Sequence, residues 1–198
     1  HYVIDANAFV IKATPVNGNV CYGAADGSVD LLFVDTLLNP GNEAGAFTYT
    51  ITGPVPSSGS STTAGPVRIS GLLAGQYTVT AKLINSPECT VTTVFNIKQP
   101  IEQLAINKVQ TPITCVSGNN DGTISVAASG GWDTNYQYEL VGPVSKTYST
   151  ENVFTGLTAG TYTINVKDGK GCIATTTAVL VNPAPIVFNA TPSATMLS

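Results

Sequence analysis

Four cysteines, one histidine and a thin scatter of carboxylates are the residues of this 198-residue chain whose types could do chemistry. The cysteines stand at 21, 89, 115 and 172, and none has the C-x-x-C spacing of a zinc or redox site. The lone histidine is His1, so neither a zinc ligand set nor a Ser/His/Asp nucleophile can be assembled. Asp26, Asp30 and Asp35 could approach one another, but nothing near them suggests the raised pKa of a general acid. The expectation is a protein that is not an enzyme. Asp26 and Asp121 each precede a glycine, and with Asn119 and Asn120 they could offer hard oxygen ligands to calcium. The same Asp-Gly pairs equally serve to set a turn. Otherwise no cofactor is expected. Trp132, flanked by Asp133 and Asn135, is the best ligand candidate. Its indole could stack on a sugar ring or fold back as a cap over the protein's own core.

What must position these residues is a pattern used twice. Gly71-Leu72-Leu73-Ala74-Gly75-Gln76-Tyr77 returns as Gly156-Leu157-Thr158-Ala159-Gly160-Thr161-Tyr162, and each copy is followed by a cysteine. The glycines permit positive φ in a tight crossing between strands, and the leucine plugs the core. The tyrosine opens the next strand with its hydroxyl near the wet edge, in the manner of a tyrosine corner. The repetition divides the chain into modules at 10–100 and 101–183, with 184–198 reading as the start of a third. Four cysteines allow three pairings. The repeat favours Cys21–Cys89 and Cys115–Cys172, each closing its own module and contributing about 4 kcal/mol in a chain-entropy model. Four buried thiols are the alternative. Disulfides imply an oxidising location. Lys12, Lys82, Lys108 and Lys167 are candidate donors for internal isopeptide crosslinks, a role the cysteine pairs already fill.

Within each module the apolar residues alternate. Val29, Leu31 and Phe33 share a face, as do Phe47, Tyr49 and Ile51, then Tyr77, Val79 and Ala81. Turn signals recur roughly every ten residues. The chain is therefore expected to be all-β: tandem immunoglobulin-like sandwiches of six or seven strands each, with a small barrel as the rival. Residues 35–46 and 53–66 read as surface loops, which lengthen the first module. A net charge of −4 with few charged residues argues against nucleic acid. No apolar run is long enough to span a membrane.

Four features together resemble the SprB repeat. They are Cys21, Gly23, Asp26 and Gly27; Gly130-Gly131 before Tyr136 and Tyr138; Gly156 through Asp168; and Gly171-Cys172. The second module matches closely. The first lacks the Gly-Gly pair and has Glu88 before its cysteine, and Cys115 to Gly122 carries one extra residue. The resemblance implies a segment of a very large adhesin on the surface of gliding Bacteroidetes, exported by type 9 secretion. Its implied role is stalk and attachment module in adhesion or gliding. The implied partners are surface polysaccharide, other glycan, an abiotic surface, another cell-surface protein or neighbouring repeats. A carbohydrate-binding or spacer module of a secreted multidomain enzyme, or a surface-layer component, are the other readings. Asp35-Thr36-Leu37 also resembles the O-glycosylation motif of these bacteria.

Overall fold

The computed structural model describes residues 9–36, 42–88, 90–115 and 118–189. They form strands without a helix, in two compact units. One is His1–Gln103 with Gly130–Trp132, the other Leu104–Ser129 with Asp133–Ser198.

The first unit holds β1 (Phe9–Asn17), β2 (Gly27–Asp35), β3 (Asn42–Glu43), β4 (Phe47–Thr52), β5 (Ser57–Ser61), β6 (Val67–Leu72), β7 (Gly75–Leu83) and β8 (Thr90–Ile97). One sheet has β2 between β1 and β6, with β3 also on β2; the other runs β5-β4-β7-β8, and all these ladders are antiparallel. The alternation read from sequence sets the faces: in β4, Phe47, Tyr49 and Ile51 are buried and Thr48, Thr50 and Thr52 exposed. Inward residues of both sheets meet in one core, where Val29, Leu31, Phe33, Tyr77 and Val79 are fully enclosed. Each such side chain contributes about 1.5–3 kcal/mol by leaving water.

The second unit holds β9 (Ala105–Thr111), β10 (Gly122–Ser129), β11 (Gln137–Val141), β12 (Lys146–Ser149), β13 (Val153–Leu157), β14 (Gly160–Lys167) and β15 (Ile173–Leu180). Its sheets, β13-β10-β9 and β12-β11-β14-β15, repeat the strand order of the first unit without β3. Its core is built from Ile124, Leu140, Phe154, Leu157, Tyr162, Ile164 and Val166.

The Gly-Leu-x-x-Gly-x-Tyr pattern makes the same corner in both units. Gly71 and Gly156 have φ of 78° and 71°, and Gly75 and Gly160 have 146° and 149°, a region that side chains avoid. Leu72 and Leu157 are buried plugs. Tyr77 donates its hydroxyl to the carbonyl of Leu73 at 2.8 Å, and Tyr162 to that of Thr158 at 2.9 Å.

Two expectations are corrected. Residues 53–66 are not one loop: Ser57–Ser61 is an edge strand paired along β4 from Ile51↔Ser57 to Phe47↔Ser61. It has no buried side chain, so only its backbone bonds hold it there. In the second unit β12 ends at Ser149, where Ser149 Oγ accepts the backbone N–H of Glu151, and β13 starts at Val153. The pair Cys115–Cys172 is not made: Cys115 is a free, exposed thiol, whereas Cys21 and Cys172 are both disulfide-bonded. Sequence spacing had argued from loop closure and carried no information on which sulfurs meet. Cys89, and with it the pair Cys21–Cys89, lies outside the described residues, as do Leu37 of the glycosylation motif and residues 190–198 of the third-module start.

Candidate functional site

The loop between β10 and β11 carries the sequence's ligand candidates, and glycines shape its start. Gly130 and Gly131 have φ of 75° and 77°. A Cβ on Gly130 would run into the carbonyl of Gln103, and Gly131 donates its N–H to the Glu102 carbonyl at 3.0 Å. Gly130, Gly131 and Trp132 accordingly group with the first unit. Trp132 is half-buried there, and its indole N–H donates to the Val20 carbonyl at 3.0 Å.

Asp133 and Asn135 belong to the second unit. Asp133 Oδ1 accepts the backbone N–H of Asn135 at 3.0 Å and of Gly169 at 3.0 Å, tying the loop to the turn after β14. Gly169 is bare for this reason, since a Cβ there would collide with the Asp133 carboxylate. That turn is organised in turn by Asp168, a buried carboxylate whose Oδ1 accepts the N–H of Lys170 and of Cys172, each at 2.9 Å. Trp132 is held by the first unit, Asp133 serves the loop itself, and Asn135 lines a hollow.

This hollow, of 430 Å3, lies wholly within the second unit and is lined by Thr134, Asn135, Tyr136, Gln137, Tyr138, Thr150 and Asn152. None of the seven is charged. Asn152 is clamped to β10: its Nδ2 donates to the Val126 carbonyl at 3.0 Å, while its own carbonyl accepts the Val126 N–H at 2.8 Å. The sequence had singled out Asn135 alone of this group. Elsewhere on the same sheet, the Lys167 ammonium sits 4.4 Å from the centre of the Tyr148 ring, and burial, with the Glu139 charge adding, pushes the Tyr148 phenol up.

Each calcium candidate has local hydrogen bonds of its own. Asp121 is occupied by Thr114, accepting its backbone N–H at 2.9 Å and a very short bond from its hydroxyl. The Thr114 hydroxyl first, then its backbone N–H, hold the Asp121 carboxyl below its usual range. Asp26 accepts Asn17 Nδ2 through its backbone carbonyl at 3.0 Å. Among the described residues no three His, Cys, Asp or Glu side chains converge on a point a metal could fill.

Among solved structures, the chain is similar to the C-terminal 282-residue fragment of intimin in complex with the intimin-binding domain of the translocated intimin receptor. Identity is 16%, coverage 85% of this chain and 63% of that one, and TM-score 0.48, so the chain spans under two thirds of the fragment. It is also similar to murine CEACAM1b (15% identity, 87% and 100% covered, TM-score 0.33) and to DIP-gamma IG1+IG2 (9% identity, 91% and 100% covered, TM-score 0.33). No curated protein matches the chain. Residues 107–144, running from β9 through the loop after β11, match the SprB repeat family.

Proposed function

We propose that the chain is a non-catalytic repeat segment of a large bacterial cell-surface adhesin, made of two SprB-type modules at 10–100 and 101–183. It serves as an extracellular stalk and attachment module in adhesion or gliding, exported by type 9 secretion. The observation that carries this reading is the SprB match at residues 107–144, on a unit whose strand order and tyrosine corner recur in the other unit. Repetition of one module without a reactive constellation is what a spacer or adhesive array uses. The outward faces fit that use, because β4 and β7 present Thr48, Thr50, Thr78 and Thr80, with Lys82 as the one charge among them.

An attachment assay tests the reading. Beads coated with the whole chain should adhere to polysaccharide-coated, glass or polystyrene surfaces more strongly than beads coated with an unrelated β-sandwich. Equal adhesion on every surface would remove the attachment role. Trp132→Ala beads then ask whether the β10–β11 loop takes part.

A second reading, a carbohydrate-binding module of a secreted multidomain enzyme, is favoured by the uncharged hollow beside β11. A catalytic domain encoded in the same gene would support it over the adhesin reading.

A further inference from the structure

The geometry points to the hollow beside β11 as a binding site for a short uncharged saccharide, held by Tyr136, Gln137, Thr150 and Asn152. This assignment rests on the surface-attachment reading and gives it a ligand class.

The two units fill the same end of the sandwich differently. Their ladders place Phe33 and Ala128 at equivalent positions: Phe33 pairs with Ile11 as Ala128 pairs with Ile106, two residues beyond the buried Leu31 and Val126. Phe47 and Tyr136 are likewise equivalent, each two residues before a tyrosine, Tyr49 or Tyr138, on the strand next to the corner. In the first unit the space is packed with rings. Phe33 lies 5.6 Å from Phe47 and 6.1 Å from Phe9, centroid to centroid, and buried Ala64 closes over them with its carbonyl on the Phe33 N–H. In the second unit a methyl group stands for the Phe33 ring, a phenol stands for Phe47, and the closing carbonyl is that of Asn152, which bonds Val126 instead.

The chemistry of the lining selects the ligand. An uncharged sugar presents a C–H face to an aromatic ring and hydroxyls that both donate and accept. Tyr136 supplies a half-buried ring, while Gln137, Asn152 and Thr150 supply amides and a hydroxyl. A charged ligand would find no counter-charge here, and an apolar one would strip these amides of water without replacing its bonds. The volume falls within the range of small-ligand clefts, roughly 300–1,000 Å3. The polar groups are also set in advance. With its Nδ2 committed to Val126, Asn152 keeps Oδ1 as an acceptor, and the Ser149–Glu151 bond fixes the turn that carries Thr150. Gln137 and Thr150 make no side-chain hydrogen bond among the described residues, so both are available to a ligand.

The test is an amide-resolved NMR titration of the whole chain with neutral gluco-, manno-, galacto- and N-acetylglucosamine oligomers, with an anionic oligogalacturonate as control. At least one neutral oligomer is expected to move the amide signals of residues 134–138 and 150–152, and the control is not. Gln137→Ala, and Thr150→Arg across the mouth, should each weaken binding about tenfold or more, the scale of one good contact, with unchanged melting. If no neutral oligomer moves those signals, or if Thr150→Arg binds as the parent does, the assignment is overturned. Bead attachment separates the two readings. Beads that adhere while soluble oligomers leave the hollow untouched sink the hollow alone. Beads that fail to adhere while oligomers still fill it sink the attachment role alone.

Discussion

Tyr162 donates its hydroxyl to the carbonyl of Thr158, four residues earlier, across a corner that Gly156 and Gly160 turn with left-handed backbone. The ring is wholly buried, so the bond ties the chain's crossing between sheets to the centre of the core. Tyr162→Phe keeps the packing and leaves the Thr158 carbonyl short of a donor. We expect a loss of about 1 kcal/mol, seen in calorimetry as a melting temperature lower by about 4–8 °C for a unit of this size. Tyr77→Phe should do the same through Leu73, in a core where Tyr77 stacks on Phe95 at 5.0 Å. An unshifted melting curve for both variants would show the corner to be a packing motif only.

Acid should loosen the fold through two carboxylates of different character. Asp121 is held below the usual 3.8 by the hydroxyl and N–H of Thr114, and Asp30 by the hydrogen-bonded Arg68 guanidinium, 2.8 Å away. A carboxylate whose pKa falls on folding stabilises the protein above its unfolded value. That contribution is lost as pH drops from there through the folded value. Urea midpoints should therefore decline below about pH 4, and less steeply in Asp121→Asn and Asp30→Asn. Salt separates the two. The Asp30–Arg68 pair is exposed and screened, whereas the Asp121 bonds come from uncharged donors. A salt-insensitive Asp30 effect would contradict this.

The parts of this fold that were legible in sequence are those in which a side chain reports its own burial. Phe47, Tyr49 and Ile51 alternate with threonines because one face meets a core, and the pattern survives translation into structure. The Gly-Leu-x-x-Gly-x-Tyr corner was legible because each residue has one conformational reason to be there. Strand β5 was not, since Ser57–Ser61 buries nothing and is held by backbone bonds to β4. The partner of Trp132 was out of reach because Val20 is 112 residues away. The hollow was hidden for another reason: its lining joins residues 134–138 to Thr150 and Asn152, two stretches that no sequence period connects.

Cys115 offers a chemical readout of the corrected pairing. Its thiol is exposed and free, while Cys21 and Cys172 are disulfide-bonded. Iodoacetamide applied to the native, unreduced chain should alkylate Cys115, and the peptides carrying Cys21 and Cys172 should take the label only after reductant is added. Protection of Cys115 before reduction would restore the pairing expected from the repeat, and label on Cys172 at that stage would contradict both pairings.

Gly142 tests how tightly the corner closes over its tyrosine. A Cβ at this position would lie 2.6 Å from Tyr162 Cδ1 and 2.9 Å from the Thr161 carbonyl; Gly53 faces Tyr77 and Gln76 at the same distances. Ring and backbone are both fixed in place, so the methyl cannot be absorbed by a rotamer change. Gly142→Ala should cost about 1–3 kcal/mol, the range for overpacking a dense interior. Val141→Ala, at the exposed neighbour, should stay within about 0.5 kcal/mol. If the ring is the principal obstacle, the double variant Gly142→Ala/Tyr162→Ala will cost less than the two single changes together, by at least about 0.5 kcal/mol in a double-mutant cycle. Strict additivity would place the strain on the Thr161 carbonyl instead, and the tyrosine would then fill the corner without closing it.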